Sequence, residues 1–194
     1  MKRPDFLELL APRRRGIPTV TGPGLMTREL FAMTGEDASI LYNMEMPYAT
    51  PMCLGLAMAR PQQRILALEG DGSLISALGI LTTIGCYKPS NLAVIVLDNG
   101  SYSTFGASMA SATAAGTDLA AVARGCGIER TITIDRLDQA EAAIDAVLSE
   151  PGPWVLIARV DAQSEPDPRF AVNSPDVTEQ ALDFVRLLRR SAVA

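Results

Sequence analysis

Residues 92–97 read LAVIVL, with no polar break, and Val155–Val160 is nearly as continuous. A strand with one wet face alternates polar and apolar residues. A run that is apolar almost throughout has to be covered on both faces. That demand points to a sheet held between two helical layers, and so to parallel strands joined by helical crossovers. The rest of the chain supplies the pieces. Strands are expected at Ile17–Thr21, Ser39–Tyr42, Arg64–Glu69, Leu92–Asp98, Thr131–Ile134 and Trp154–Val160. Helices are expected at Asp5–Arg14, Leu25–Met33, Ala49–Arg60, Leu74–Tyr87, Leu119–Gly125, Leu137–Ser149 and Val177–Arg190. The expected fold is α/β: one three-layer domain over residues 1–194, a parallel sheet of about six strands with helices on both faces, and residues 161–194 as a connection and a C-terminal helix.

Composition removes several kinds of chemistry. With no histidine in 194 residues, the chain offers no Ser-His-Asp triad, no His-ligated zinc and no imidazole base. A net charge of −5 gives no footprint for nucleic acid. The densest basic run, Arg13-Arg14-Arg15, reads as a solvated helix end. Cys53, Cys86 and Cys126 read as buried free thiols, and three are too few for a four-cysteine iron–sulfur cluster. No apolar stretch approaches the ~20 residues of a membrane span and the N-terminus lacks an apolar signal core, so a cytoplasmic protein with no membrane partner is expected.

The segment LALEGDGSLISAL, residues 66–78, sets Asp71 between Gly70 and Gly72 where a strand gives way to a helix. A G-x-G-x-x-G fingerprint fails because the third glycine is missing, a P-loop fails for want of Gly-Lys-Ser/Thr, and an EF-hand fails because the residues after Ser73 turn apolar. In isolation G-D-G-S is also a plain turn. Twenty-eight positions on, at the end of the next strand, stands Asp98-Asn99. Adjacent strand tips would then carry the Asp71 carboxylate and the Asn99 side-chain carbonyl, with the Ser101 backbone carbonyl as a third oxygen, a donor set suited to Mg²⁺. Gly70 and Gly72 would admit a close backbone approach, and the N–H groups at Ser73 and Leu74 would face a phosphate. Residues 100–118, mostly Gly, Ala, Ser and Thr, are long for a strand-to-helix link and read either as a functional lid or as a plain surface loop.

The stretch EGDGSLISALGILTTIGCYKPSNLAVIVLDNGSY resembles the diphosphate-binding motif of thiamine-diphosphate-dependent enzymes, which runs from GDG(S) to a closing Asn pair. YNMEMPYATPMCLGLAMA and TDLAAVARGCGI resemble the segments that flank it, so the likeness covers roughly residues 15–160. It is nearest to the small subunits of sulfopyruvate and phosphonopyruvate decarboxylases, in which the pyrophosphate-binding (PP) domain can be a separate chain. The resemblance implies thiamine diphosphate and Mg²⁺ as cofactors, with Asp71, Asn99 and the Ser101 carbonyl on the metal. Gly72 and Ser73 would contact the diphosphate, Met46 would be the apolar wedge under the bent cofactor, and the Met44 carbonyl would meet the aminopyrimidine. Tyr102 falls where an aromatic commonly follows the metal loop, with packing as its other role. The first residue of the Asn pair is Asp98 here, and Met44-Glu45-Met46-Pro47 replaces a glycine-containing pattern, departures that bear on the substrate more than the cofactor.

The glutamate that activates the cofactor belongs, in the family, to a pyrimidine-binding (PYR) domain. The resemblance therefore implies a hetero-oligomer with a PYR-domain subunit, acting on a small 2-oxo acid; Ala49–Arg60 and Leu74–Tyr87, rich in small and apolar residues, are candidate contacts, with core packing as their other role. Two other readings stand beside this decarboxylase: an acetolactate-synthase-like carboligase subunit, and a non-catalytic cofactor-binding regulatory subunit.

Overall fold

The computed structural model describes residues 1–35, 37–42, 45–102, 109–162, 165, 167–170 and 176–190. Six parallel strands form one sheet: β1 (Thr19–Thr21), β2 (Ile40–Tyr42), β3 (Ile65–Gly70), β4 (Leu92–Asp98), β5 (Arg130–Ile134) and β6 (Trp154–Arg159), in the spatial order β2-β1-β3-β4-β6-β5. The expected α/β fold is therefore the observed one. Each central strand sends alternate side chains to opposite cores. Leu92, Val94 and Val96 pack with α3 (Ala49–Ala59), α5 (Ile80–Tyr87), α6 (Leu119–Gly125) and α8 (Val177–Arg190). Ala93, Ile95 and Leu97 pack with α1 (Arg3–Arg13), α2 (Leu25–Thr34) and α7 (Leu137–Ser149). This double cover is what LAVIVL demanded, and all of Leu92–Leu97 is buried.

The order of strands sets the position of the site. From β1 the chain crosses outward to β2, then returns to place β3 on the other side of β1. Loops leaving β1 and β3 therefore diverge to opposite faces and open a crevice at the carboxyl ends of the strands. The edge strand β2 is closed by α8, whose Gln180 Oε1 accepts the Tyr42 N–H at 3.0 Å. No helix among the described residues is long and apolar enough to cross a membrane.

Three sequence readings need correction. The helix expected over Leu74–Tyr87 is two: α4 (Asp71–Ser76) and α5, joined by residues 77–79. Hydrogen bonds there shorten to i→i−3, as from Ala77 N–H to the Leu74 carbonyl (3.1 Å) and from Ile80 N–H to the Ala77 carbonyl (2.9 Å). Gly79 weakens helix continuation, and Ser76 Oγ bonds back to the Gly72 carbonyl at 2.9 Å. Farther along α5, a Cβ on Gly85 would stand 1.7 Å from the Cys126 carbonyl oxygen, so glycine there lets α5 close on the end of α6.

The basic run is a solvated end only in part: Arg15 is exposed and Arg13 pairs with Glu141 and Asp145 at the surface, but Arg14 turns inward. Arg14 is fully buried, pairs with Asp37 at 2.9 Å, and donates to the Ile17 carbonyl at 2.7 Å and to Ser39 Oγ. Burial pulls the Arg14 guanidinium below its ordinary value, against the Asp37 charge. Of the thiols, Cys53 is buried as expected, but Cys126 is half-buried and Cys86 is exposed.

Candidate functional site

A cleft of ≈ 280 Å³ lies at the carboxyl ends of β1, β3 and β4, where the strand order reverses. Its walls bring together Met46, Gly70, Asp71, Gly72, Ser73, Asn99, Ser101 and Tyr102; of the other residues singled out from sequence, Leu74 is buried in the core and Met44 lies outside the described residues. The other side is built by Pro23, Gly24, Leu25, Met26 and Arg28 at the start of α2, and by Arg3 of α1. The pairing of Gly70 with Leu97 across β3 and β4 accounts for the meeting of the two motifs. Equal register at neighbouring strand ends delivers Asp71 and Asn99 to the same rim.

Asp71 does not sit in a turn before the helix. It is the first residue of α4, with Gly70 extended ahead of it at φ −84°, ψ 157°. Its side chain is buried, and its Oδ2 accepts from Thr113 Oγ1 at 2.7 Å and from Ser111 Oγ. Burial raises the Asp71 carboxyl above the usual range, the two hydroxyls oppose that, and the Asp98 charge adds to it.

Sequence reasoning missed Ser111 and Thr113. They arrive through a hairpin: Ser101 bridges Ala110 antiparallel, Tyr102 N–H bonds the Met109 carbonyl at 2.9 Å, and Ser111 N–H bonds the Gly100 carbonyl at 3.0 Å. Gly100, at φ +66°, permits the turn into it. Asn99 Oδ1 accepts the Ser101 N–H at 3.0 Å and Asp98 Oδ1 the Gly100 N–H at 3.2 Å, so this corner is tied by its own side chains. The available signal was the length and Ser/Thr content of residues 100–118. At its two ends that segment is a hairpin folded onto the carboxylate, while residues 103–108 lie outside the described ones.

The two glycines differ in what they are for. A Cβ on Gly72 would meet Tyr102 Cε1 at 2.3 Å, so Tyr102 packs its ring on that backbone. A Cβ on Gly70 meets nothing within 4 Å, and the residue faces the cleft. Gly70→Ala is therefore expected to change unfolding free energy by no more than about 0.5 kcal/mol while obstructing anything that enters the cleft. Gly72→Ala is expected to cost about 1–3 kcal/mol by overpacking against Tyr102. Denaturant titration of the two variants separates them; equal losses would contradict this assignment.

Behind the cleft lie two buried carboxylates. Glu69 is fully buried and accepts from Thr50 Oγ1 (3.1 Å) and Ser73 Oγ (3.4 Å). Burial pushes it up to about 7 against those hydrogen bonds and the amides of Thr50 and Ala49. Glu29, also fully buried, holds Arg3 in a two-pronged pair at 2.7 and 2.8 Å and accepts the Asp167 N–H at 3.1 Å. That fork–fork geometry neutralises the Arg3 charge from behind the cleft wall.

Against known families, residues 23–158 match the model described as thiamine pyrophosphate enzyme, C-terminal TPP binding domain. The chain belongs to this family. Among similar proteins is the sulfopyruvate decarboxylase subunit beta of Methanocaldococcus jannaschii, 30% identical over 146 residues that make up 75% of this chain and 76% of that one. The phosphonopyruvate decarboxylase of Streptomyces viridochromogenes is 33% identical over 76% of this chain, but that span is only 36% of its own length. In fold, the TPP-binding domain superposes on the benzoylformate decarboxylase of Polynucleobacter necessarius with a TM-score of 0.70 at 18% identity, covering 84% of this chain and 33% of that one. The matched region carries every candidate site residue, from Met44 to Tyr102.

Proposed function

We propose that this chain is the PP-domain subunit of a cytoplasmic, thiamine-diphosphate- and Mg²⁺-dependent 2-oxo acid decarboxylase of the sulfopyruvate/phosphonopyruvate type. The observation that carries the reading is the convergence of Asp71, Asn99, Ser101 and Met46 on one cleft at adjacent strand ends.

The donor set fits a metal that arrives with a diphosphate. One carboxylate, one amide oxygen and one peptide carbonyl are hard oxygen ligands, and Mg²⁺ fills the remaining positions with phosphate and water. Among the described residues no group of three or more His, Cys, Asp or Glu side chains could hold an ion unaided. The open Cβ position at Gly70 leaves room for the phosphates.

In this arrangement Asp71, Asn99 and the Ser101 carbonyl would hold the metal, with Ser111 and Thr113 keeping Asp71 aimed through Oδ2. Gly72 and Ser73 present the opening of α4 to the diphosphate, and Tyr102 braces Gly72. Met46 would supply an apolar surface to the cofactor, and the Met44 carbonyl would be the partner of its aminopyrimidine. Bound there, thiamine diphosphate would supply the electron sink that lets a 2-oxo acid lose CO₂.

The proton transfers of the aminopyrimidine fall to a PYR-domain subunit. The naming of the M. jannaschii relative as a beta subunit supports such a partner. So do the exposed apolar side chains Tyr48, Met52 and Met58 on and beside α3 and Tyr87 on α5, the helices expected to meet it.

Calorimetry tests the scheme. Thiamine diphosphate is expected to bind only when Mg²⁺ is present, weakly to the isolated chain and more tightly with the PYR-domain subunit. Tight binding by this chain in excess chelator would overturn it.

A further inference from the structure

Among the described residues, the charged side chains that line the cleft are Asp71, Arg3 and Arg28. Arg3 is spoken for, its guanidinium locked to the buried Glu29. Arg28 differs. It is exposed, lines the same cleft, and among the described residues has neither an ion pair nor a hydrogen bond. Consecutive positions on a helix point about 100° apart, so α2 turns Glu29 into the protein and Arg28 to the cleft wall. Thr27 Oγ1 fixes that first turn by donating to the Gly22 carbonyl at 2.7 Å.

Mg²⁺ offsets most of the charge of a diphosphate, and a simple 2-oxo acid adds only the carboxylate that leaves as CO₂. A 2-oxo acid with a terminal sulfonate or phosphonate brings a second anion that must be met. We propose that Arg28 is the specificity-determining residue of this site, binding the terminal sulfonate or phosphonate of the 2-oxo acid through its guanidinium fork. Planar, permanently charged and with five donors, a guanidinium matches a tetrahedral oxyanion better than a lysine ammonium does. The substrate's carboxylate is lost as CO₂, so a contact to the opposite end persists through the reaction and selects the substrate without touching the bond that breaks. The assignment rests on the decarboxylase reading above.

The test uses the complex of this chain with its PYR-domain subunit, loaded with thiamine diphosphate and Mg²⁺, and measures CO₂ release from sulfopyruvate, phosphonopyruvate and pyruvate. Arg28→Ala is expected to lower the ratio of kcat/KM for either anionic substrate over that for pyruvate by about 10- to 100-fold, chiefly through KM. Arg28→Lys is expected to recover part of that ratio. Damage to folding or cofactor retention falls on all three substrates alike and leaves the ratio unmoved, so a merely structural role predicts no change. An unchanged ratio overturns the assignment. A raised thiamine diphosphate Kd with uniform loss on all substrates also overturns it, by giving Arg28 to the cofactor. A wild-type complex that releases CO₂ from pyruvate but not from the anionic acids overturns the assignment alone, whereas one that releases it from none overturns the decarboxylase reading as well.

Discussion

Asp71→Ala is expected to weaken retention of Mg²⁺ and thiamine diphosphate by more than a hundredfold, beyond the roughly 10- to 100-fold that changes behind a metal ligand produce. The apo fold should survive, because burial raises Asp71 and its ionised form is therefore costly in the folded chain. Once the carboxylate is gone, Ser111 Oγ and Thr113 Oγ1 still have each other at 2.8 Å. Denaturant midpoints without metal should match or slightly exceed those of the wild type. Ser111→Ala and Thr113→Val act one step back: each leaves the ligand in place but loosens its aim, and about a tenfold loss of metal affinity is expected. Calorimetry with Mg²⁺ and cofactor gives the order Asp71→Ala, then the hydroxyl variants, then wild type. A hydroxyl variant as damaging as Asp71→Ala would mean that the hydroxyls themselves hold the ligand, and an unaffected Asp71→Ala would remove the metal site altogether.

The fold was legible because burial at Leu92–Leu97 of β4 and along most of β6 is a local signal. Outside the Leu74–Tyr87 segment, strands and helices fell within two residues of their expected ends. The G-D-G-S and D-N pair was legible for a related reason: one crossover helix between parallel neighbours fixes both the sequence spacing and the spatial contact. What failed was of another kind. The break at residues 77–79 shows in its i→i−3 bonds, and Gly85 of α5 closes on Cys126, a contact between segments some forty residues apart that no helical periodicity encodes. Arg14 looked like one more surface cation, and only the placement of Asp37 and Ser39 made it a buried one. Ser111 and Thr113 were hidden in a run of small polar residues, because a hairpin register decides which hydroxyls reach Asp71. Arg28 was likewise invisible. No motif surrounds it, and its meaning comes from the cleft wall and from Glu29 having claimed the neighbouring guanidinium.

Glu69→Gln is expected to flatten the dependence of stability on pH. Glu69 stands at about 7 in the folded chain against an ordinary 4.5, raised by burial. An acid with the higher value in the folded state keeps its proton there after the unfolded chain has lost it. Folding therefore takes up a proton between about pH 4.5 and 7, and stability falls as pH rises through that window, the opposite of a salt-bridged carboxylate. The full loss, complete above the folded value, is about 3 kcal/mol. Gln fits the same space. Its amide oxygen can accept from Thr50 and its NH₂ can donate to Ser73 Oγ, and it carries no proton to lose. Urea titrations of the metal-free chain, begun clear of the sequence pI of ≈ 4.8, should show wild type and variant converging at acid pH and the variant pulling ahead by pH 8. Parallel curves would contradict the raised value. The same neutrality serves the cleft, since Glu69 adjoins the turn offered to a diphosphate and touches Ser73. An ionised carboxylate there would repel the phosphates that Ser73 is placed to meet, so Glu69→Gln should hold or improve cofactor affinity at alkaline pH, where the wild type weakens.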